Sequence, residues 1–395
     1  MLVPTPSELR ACPAPARLAV LGATGSIGTS ALAIVREHRE DFAVVALSAH
    51  RQWQKLLPLI EEFSPAIVSL ADEGARRELC AALGQRSSKS SVLSAPEFYR
   101  YIEQGEFDIA LCASVGFDGI HGSLAAAHSG RRVALANKES IVAAGALLRS
   151  AASSSGAQIV PVDSEHSSIY QLLLGHADEQ VESCLLTASG GPFLDLPLAA
   201  WTSISPEQAV RHPRWSMGPK ISIDSATMFN KGLELIEAHW LFGFAESMID
   251  VVVHPESFVH GALLFADGSL ICHAGATDMR LPIAFALRCP APRYYRPAPL
   301  KSLTSMGVLS FRQLDTERFR AVALARHALR QGGVAPAVLT IANDIAVERF
   351  IRGENSFLDI IKQVEDALSR FGGGSYQELG DLLELQQRIA NDLAR

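Results

Sequence analysis

The chain has 395 residues, 48% of them apolar and 19% charged, which suits two or three packed domains and leaves too little charge for long disorder. A net charge of −7 excludes non-specific nucleic-acid binding, which needs a basic field, yet permits capture of one phosphate by a few cations and backbone amides. No apolar run approaches the ~18 residues of a membrane span, and six scattered cysteines without a CxxC pair suit reduced thiols in a cytoplasmic protein, not a disulfide framework or zinc site.

Residues 1–16 hold four prolines and no apolar stretch, so they read as a loose N-terminal extension. An apolar strand at 17–21 runs into a glycine-rich turn, and a periodic helix follows to about His38. Strand patterns recur at 42–49, 66–70, 108–112, 132–136 and 158–162, with helical patterns between them. This alternation predicts a parallel, Rossmann-like sheet over residues 17–162. The pattern then changes. Strands at 183–188, 248–254, 257–265 and 269–274, with one long helix over 225–242, predict an α+β domain over 163–289. The prolines at 290, 292, 297 and 299 mark 290–315 as a linker. Four helical patterns, at 317–331, 336–352, 357–371 and 376–394, predict a C-terminal helical bundle over 316–395.

Gly22, Gly25 and Gly28 sit three apart between a strand and a helix. A dinucleotide needs such a turn: the backbone can approach its pyrophosphate, and the helix N-terminus supplies amides and a dipole. A close helix–sheet crossing would use the same glycines. After the second strand an NAD site would offer a carboxylate to the ribose. This chain offers His50, Arg51 and Gln52, and Arg51 is available for a 2′-phosphate, which favours NADPH.

Asp163, Ser164, Glu165 and His166 end the strand at 158–162. Two convergent carboxylates suit Mg²⁺ or Mn²⁺, although Asp163 or Ser164 also makes a helix N-cap. Asn137, Lys138 and Glu139 end the preceding strand, where a buried polar cluster needs partners. Ser189-Gly190-Gly191 offers a hydroxyl and open amides to an oxyanion. The stretch 212–218 carries Trp215 among prolines and glycines, as water-excluding lids do. Ser225, Asn230 and Lys231 make a cationic cup for phosphate at the entry to the long helix, and Glu234 is a third carboxylate for a metal. His260 could be a core histidine or a site residue, and for a lone histidine the core reading is the default.

Together the segments GATGSIG, ANKES, PVDSEH, SGGPF, HPRWSMGPKISIDSATMFNKGLE and HPESFVH resemble those of the 1-deoxy-D-xylulose 5-phosphate reductoisomerase family, in order and over nearly the whole chain. The resemblance implies NADPH and a divalent metal (Mg²⁺, Mn²⁺ or Co²⁺) as cofactors, a phosphorylated small-molecule substrate, and a homodimer. It also implies residue roles. Thr24, Gly25, Ser26 and Ile27 hold the pyrophosphate, with Asn137, Glu139 and Gly218 completing the cofactor pocket. Asp163, Glu165 and Glu234 bind the metal. Lys138 and Ser164 meet the reacting end of the substrate, and His260 is adjacent. Ser189, His212, Ser225, Asn230 and Lys231 hold its phosphate, while Trp215 and Met217 ride the lid over 211–219. At His50, Arg51 and Gln52 the chain departs from the family's usual Gly or Ala, a variable residue and Asn. A plain NADPH-dependent dehydrogenase would share the cofactor turn and differ in metal dependence and in lacking a branched polyol product; a non-catalytic NADPH sensor would have no need of three carboxylates and a lysine.

Overall fold

Seven short strands form one parallel sheet: β1 (Ala16–Leu21), β2 (Phe42–Ala49), β3 (Ile67–Leu70), β4 (Ser91–Leu93), β5 (Ile109–Cys112), β6 (Arg132–Leu135) and β7 (Gln158–Pro161), in the order β4-β3-β2-β1-β5-β6-β7. The structure is a computed structural model that describes residues 1–84, 90–176, 180–213, 215, 218–291, 295, 304 and 307–393. Met217, expected on the lid, lies outside the described residues, as does part of the expected 290–315 linker. β5, β6 and β7 are buried at every position, as strands covered by helices on both faces must be. The chain builds outward from β1 in one direction to β4 and from β5 in the other to β7. The carboxyl ends of β1 and β5 therefore flank the crevice where strand order reverses, which is where open α/β sheets bind ligands.

A second, mixed sheet contains β8 (Val181–Ala188), β9 (Ile249–Val253), β10 (Val259–Phe265), β11 (Leu270–Ala274) and β12 (Arg312–Gln313), ordered β11-β10-β8-β9-β12. β8 and β9 run parallel, so their carboxyl ends share an edge with the start of antiparallel β10. Ser189, Ser257 and His260 thereby come to one rim. Four helices, Arg320–Gln331, Ala335–Ile351, Phe357–Phe371 and Leu379–Leu393, form the C-terminal bundle. The expected three-part architecture is the one found.

Three expectations need correction. The proline-rich 290–315 stretch is not solely a linker, because Arg312–Gln313 pairs with β9 as an edge strand. The single helix expected over 225–242 is two, Pro219–Thr227 and Phe229–Phe242, broken at Met228 with φ +64°. Ser225 is consequently inside the first helix and is no cap for the second. A left-handed methionine costs ~1–2 kcal/mol, and burial of its side chain at 2% exposure outweighs that cost; no local signal marks such a break.

The N-terminal segment is not loose. Leu2, Val3 and Leu9 are buried, and the Leu2 and Val3 amides donate to Leu241 O at 2.8 and 3.2 Å. Tyr170 Oη donates to Pro4 O at 2.8 Å, and Arg10 N donates to Gln158 Oε1 at 3.2 Å. The strap thus ties β7 to helices 164–175 and 229–242. Tyr170→Phe would strand the buried Pro4 carbonyl and is expected to cost about 1–2 kcal/mol, seen as a lower Tm with unchanged turnover. An unshifted Tm would show that the strap contact contributes nothing.

Candidate active site

The cofactor side of the site begins where β1 ends. Gly22 has φ +87°, and a Cβ there would stand 2.4 Å from Ala113 O; at Gly28 it would stand 2.3 Å from Gly22 O. These two glycines let the turn tuck under β5 and the helix Ser26–Glu37 start against it. The Gly22 and Ala23 amides donate to Ser48 O, holding the turn on β2. Gly25 caps the helix without a side chain, so the first-turn amides of Ser26 and Ile27 have no intrahelical partner and point outward.

Gly25, Ser26 and Ile27 form part of the wall of a cavity of about 470 Å³ that extends from the glycine turn to the rim of the second sheet. Asn137, Lys138 and Glu139 face it from the end of β6, and Gly218 from the start of helix 219–227. Thr24 is half-buried beside the turn but does not line the cavity. His50, Arg51 and Gln52 are exposed after β2 and also lie outside its wall.

Asn137 caps helix 138–155 as well as standing at the site. Its Oδ1 accepts from Ser140 N at 3.0 Å, and its Nδ2 donates to Ser114 O, Gly116 O and Glu139 Oε2. Its amide is fully engaged in holding the 114–116 loop. Glu139 also accepts from Gly116 N at 3.2 Å. Burial, with Asp344 nearby, pushes the Glu139 carboxyl up to about 7.

The carboxylates converge deeper in the cavity. One oxygen each from Asp163, Glu165 and Glu234 lies within 4.8 Å of the others. Asp163 caps helix 164–175, accepting from Glu165 N at 3.2 Å and from His166 Nδ1 at 3.0 Å. Its other oxygen bonds Lys138 Nζ. His166 is fully buried and reaches Glu234 O through Nε2 at 2.9 Å. It therefore braces two of the three acids. Lys231 Nζ, 4% exposed, donates to Glu165 Oε1 at 3.0 Å and to Glu234.

Charge balance is the dominant feature. Burial, together with Glu165 and Asp163, pushes Glu234 up to about 8 despite Lys231 and Lys138. Burial opposes the charge on Lys138, but Asp163, Glu237 and Glu234 hold its pKa well above the usual lysine value. His166, likewise opposed by burial, is raised to about 9 by Glu237 and Asp163. The cluster is short of positive charge even with two lysines and a histidine present. An all-oxygen donor set with surplus negative charge suits a hard divalent cation.

Glu237 was missed from the sequence. It is 2% exposed and holds Lys138 Nζ at 3.0 Å. The available signal was its position one helical turn beyond Glu234. His166 stands in the PVDSEH segment, but nothing local showed that its ring would span to the helix of Glu234.

At the far end, Ser189 follows β8. A Cβ on Gly191 would lie 2.8 Å from Ser225 O, so the glycine pair lets this turn press against helix 219–227. Ser189 and Ser225 thereby share one wall with Asn230 and Lys231. His212 Nδ1 accepts from Trp215 N at 2.9 Å, leaving the Nε2 hydrogen for Ser189 Oγ at 2.9 Å. Burial pushes His212 down to about 4, consistent with that neutral tautomer. Trp215 closes the cavity near His260, with ring centroids 6.3 Å apart. His260 is 6% exposed, and burial lowers its pKa. Ser164 also lines the cavity and donates to Glu165 Oε2 at 2.5 Å.

The sequence matches three family descriptions: 1-deoxy-D-xylulose 5-phosphate reductoisomerase over residues 18–145, the C-terminal domain of that enzyme over 159–242, and DXP reductoisomerase C-terminal domain over 274–391. A reductoisomerase of that name from Chlorobium phaeovibrioides is 44% identical over 93% of this chain and 95% of its own length. One from Cupriavidus metallidurans is 45% identical over 93% and 94%. A crystal structure of a reductoisomerase in complex with NADPH, fosmidomycin and magnesium superposes with a TM-score of 0.91 at 38% identity, covering 96% of this chain and 97% of that one. The Zymomonas mobilis enzyme in complex with NADPH gives 0.89 at 37% identity, covering 96% and 98%. On this similarity, which extends over both sheets and the helical bundle, the chain belongs to the 1-deoxy-D-xylulose 5-phosphate reductoisomerase family.

Proposed function

We infer that the chain is an NADPH- and divalent-metal-dependent reductoisomerase, converting 1-deoxy-D-xylulose 5-phosphate to 2-C-methyl-D-erythritol 4-phosphate in the non-mevalonate route to isoprenoid precursors. The observation that carries this reading is the meeting of Asp163, Glu165 and Glu234 in the same cavity as the glycine turn. A plain dehydrogenase needs the turn alone. Solved relatives bind NADPH and magnesium, and the residues here suit both groups: an open helix N-terminus for a pyrophosphate, and an electron-rich oxygen cluster for a cation.

When bound, the divalent cation polarises neighbouring substrate oxygens and NADPH supplies the hydride. The roles of the protein's own residues follow from their positions. Ser26 and Ile27, with Thr24 and Gly25, receive the pyrophosphate, and His50, Arg51 and Gln52 meet the adenosine side at the exposed end of β2. Asn137 and Glu139 hold the 114–116 loop against the nicotinamide half, and Gly218 borders it. Lys138, fixed as a cation by its acidic partners, stabilises oxyanion charge as the carbon skeleton rearranges, with Ser164 positioning the same end. Ser189, Ser225, Asn230, Lys231 and His212 bind the phosphate. Its binding energy, remote from the reacting carbons, draws Trp215 over the cavity, with His260 beneath, and excludes water.

Two further properties belong to this reading. β11 is an edge strand with alternate exposed positions, Leu270 among them at 55%, and we propose that a second copy of the chain pairs there. A cytoplasmic location accords with the six free cysteines; among the described residues no helix is long and apolar enough to cross a membrane.

The test is NADPH oxidation with the ketose phosphate. Turnover should require Mg²⁺ or Mn²⁺, vanish with a chelator, and yield a branched polyol phosphate. Metal-independent oxidation, or an unrearranged product, would return the chain to the simple dehydrogenases.

A further inference from the structure

A second polar knot stands apart from the three converging carboxylates: its Lys220 and Asp224 line the same cavity, near Glu139, and no role above is assigned to them. Lys220 and Asp224 are one turn apart on helix 219–227. Asp224, 3% exposed, accepts from Lys220 Nζ on one oxygen and from Asn343 Nδ2 on the other at 2.9 Å. Lys220 Nζ also pairs with Asp344 Oδ1 at 2.8 Å. Asn343, fully buried, and Asp344 belong to helix 335–351 of the C-terminal bundle.

The helix they grip needs an external hold. It has nine residues and no side-chain N-cap, which is too short to be stable alone. It begins directly after the lid and ends at the left-handed Met228. It also carries Ser225, one residue beyond Asp224. Among the described residues, the four C-terminal helices contribute nothing to the cavity wall; they act on it through the elements they pack against, and helix 219–227 is the one held by this polar knot.

We propose that Asn343 and Asp344 are positioning residues for substrate phosphate. Through Asp224 and Lys220 they fix the orientation of helix 219–227, and with it Ser225. The C-terminal bundle thus sets the geometry of a phosphate pocket that it does not enter. The proposal rests on the reading of Ser225 as a phosphate ligand given above.

The test compares KM and kcat for both substrates in the full-length enzyme with Mg²⁺. Asp344→Ala and Asn343→Ala should raise the KM for ketose phosphate about tenfold, with kcat within about threefold; the KM for NADPH should change far less, and in Asn343→Ala, where Asp344 still faces Glu139, not at all. Asp344→Glu, which keeps the charge, should recover most of that KM. Parental KM values in both alanine variants would overturn the proposal. So would an equal loss in kcat and both KM values that glutamate does not rescue, since that marks general destabilisation. Should Asp344→Ala fail to fold, Asp344→Asn against Asp344→Glu makes the same comparison. Absence of turnover in the parent removes the functional reading itself; a working parent with indifferent variants removes this proposal alone.

Discussion

Replacing Glu234 by Gln should abolish turnover while leaving NADPH binding intact. Glu234 is fully buried and pushed up to about 8 by its burial and by Glu165. One of its oxygens lies within 4.8 Å of oxygens of Asp163 and Glu165, and in the proposed reading the three are donors to a shared cation. Glutamine keeps the shape but only one acceptor oxygen: Lys231 can keep it, and a flip of the Asn230 amide turns its buried, unpartnered Oδ1 toward the new NH2, so the helix should fold unchanged. What is lost is the ability to become an anionic ligand when a cation displaces its proton, and metal stabilisation of developing charge is worth several kcal/mol. At 1.36 kcal/mol per decade, a fall in kcat of about a thousandfold or more is expected. The glycine turn is formed by β1, β2 and β5 and has no contact with Glu234. The Kd for NADPH, followed by fluorescence, should therefore change less than about twofold. Metal-dependent turnover near the parent level in this variant would remove Glu234 from the metal site.

The parts of this site that sequence made legible are those written by one segment at a time. The glycine turn was readable because strand, turn and helix are contiguous and the steric demand at Gly22 and Gly28 is local. Asp163 and Glu165 were readable because they end an apolar strand, and Lys231 with Glu234 because three residues on a helix share a face. What was hidden depends on long-range packing. The break at Met228 has no glycine to announce it, and only burial of that side chain holds the backbone left-handed. Leu2 and Val3 look like loop residues until Leu241 supplies an acceptor. Asn343, with Asp344 next to it, sits in an apolar helical pattern 119 residues beyond Asp224, and nothing in either segment names the other. β4 and β12 are too short for periodicity to register. Glu237 was visible at the right spacing, but its role appears only once Lys138 arrives from the first sheet.

Lys231→Ala should raise the KM for the ketose phosphate strongly. The Lys231 ammonium is 4% exposed and lies between Glu165 and Glu234. Burial opposes its charge, but those two carboxylates raise its pKa well above the usual lysine value, so it remains a fixed cation at any working pH. Two roles compete for it. As a phosphate ligand it makes a charge-assisted bond worth ~1.5–3 kcal/mol. As a counter-ion it neutralises the carboxylates. The roles predict different kinetics. Loss of a phosphate contact should raise KM about 10- to 100-fold; because closure of Trp215 draws on the same binding energy, kcat should fall as well, by a smaller factor. Loss of a counter-ion alone would leave KM for the ketose phosphate near the parent value and tighten metal binding, because the carboxylates would carry more uncompensated charge. Titrating activity against Mg²⁺ at saturating substrate separates the two. An unchanged KM with a lower metal requirement would assign the phosphate to Ser189, Ser225 and Asn230 without Lys231. A raised KM at an unchanged metal requirement places the ammonium on the phosphate, where closure of Trp215 draws on its binding energy.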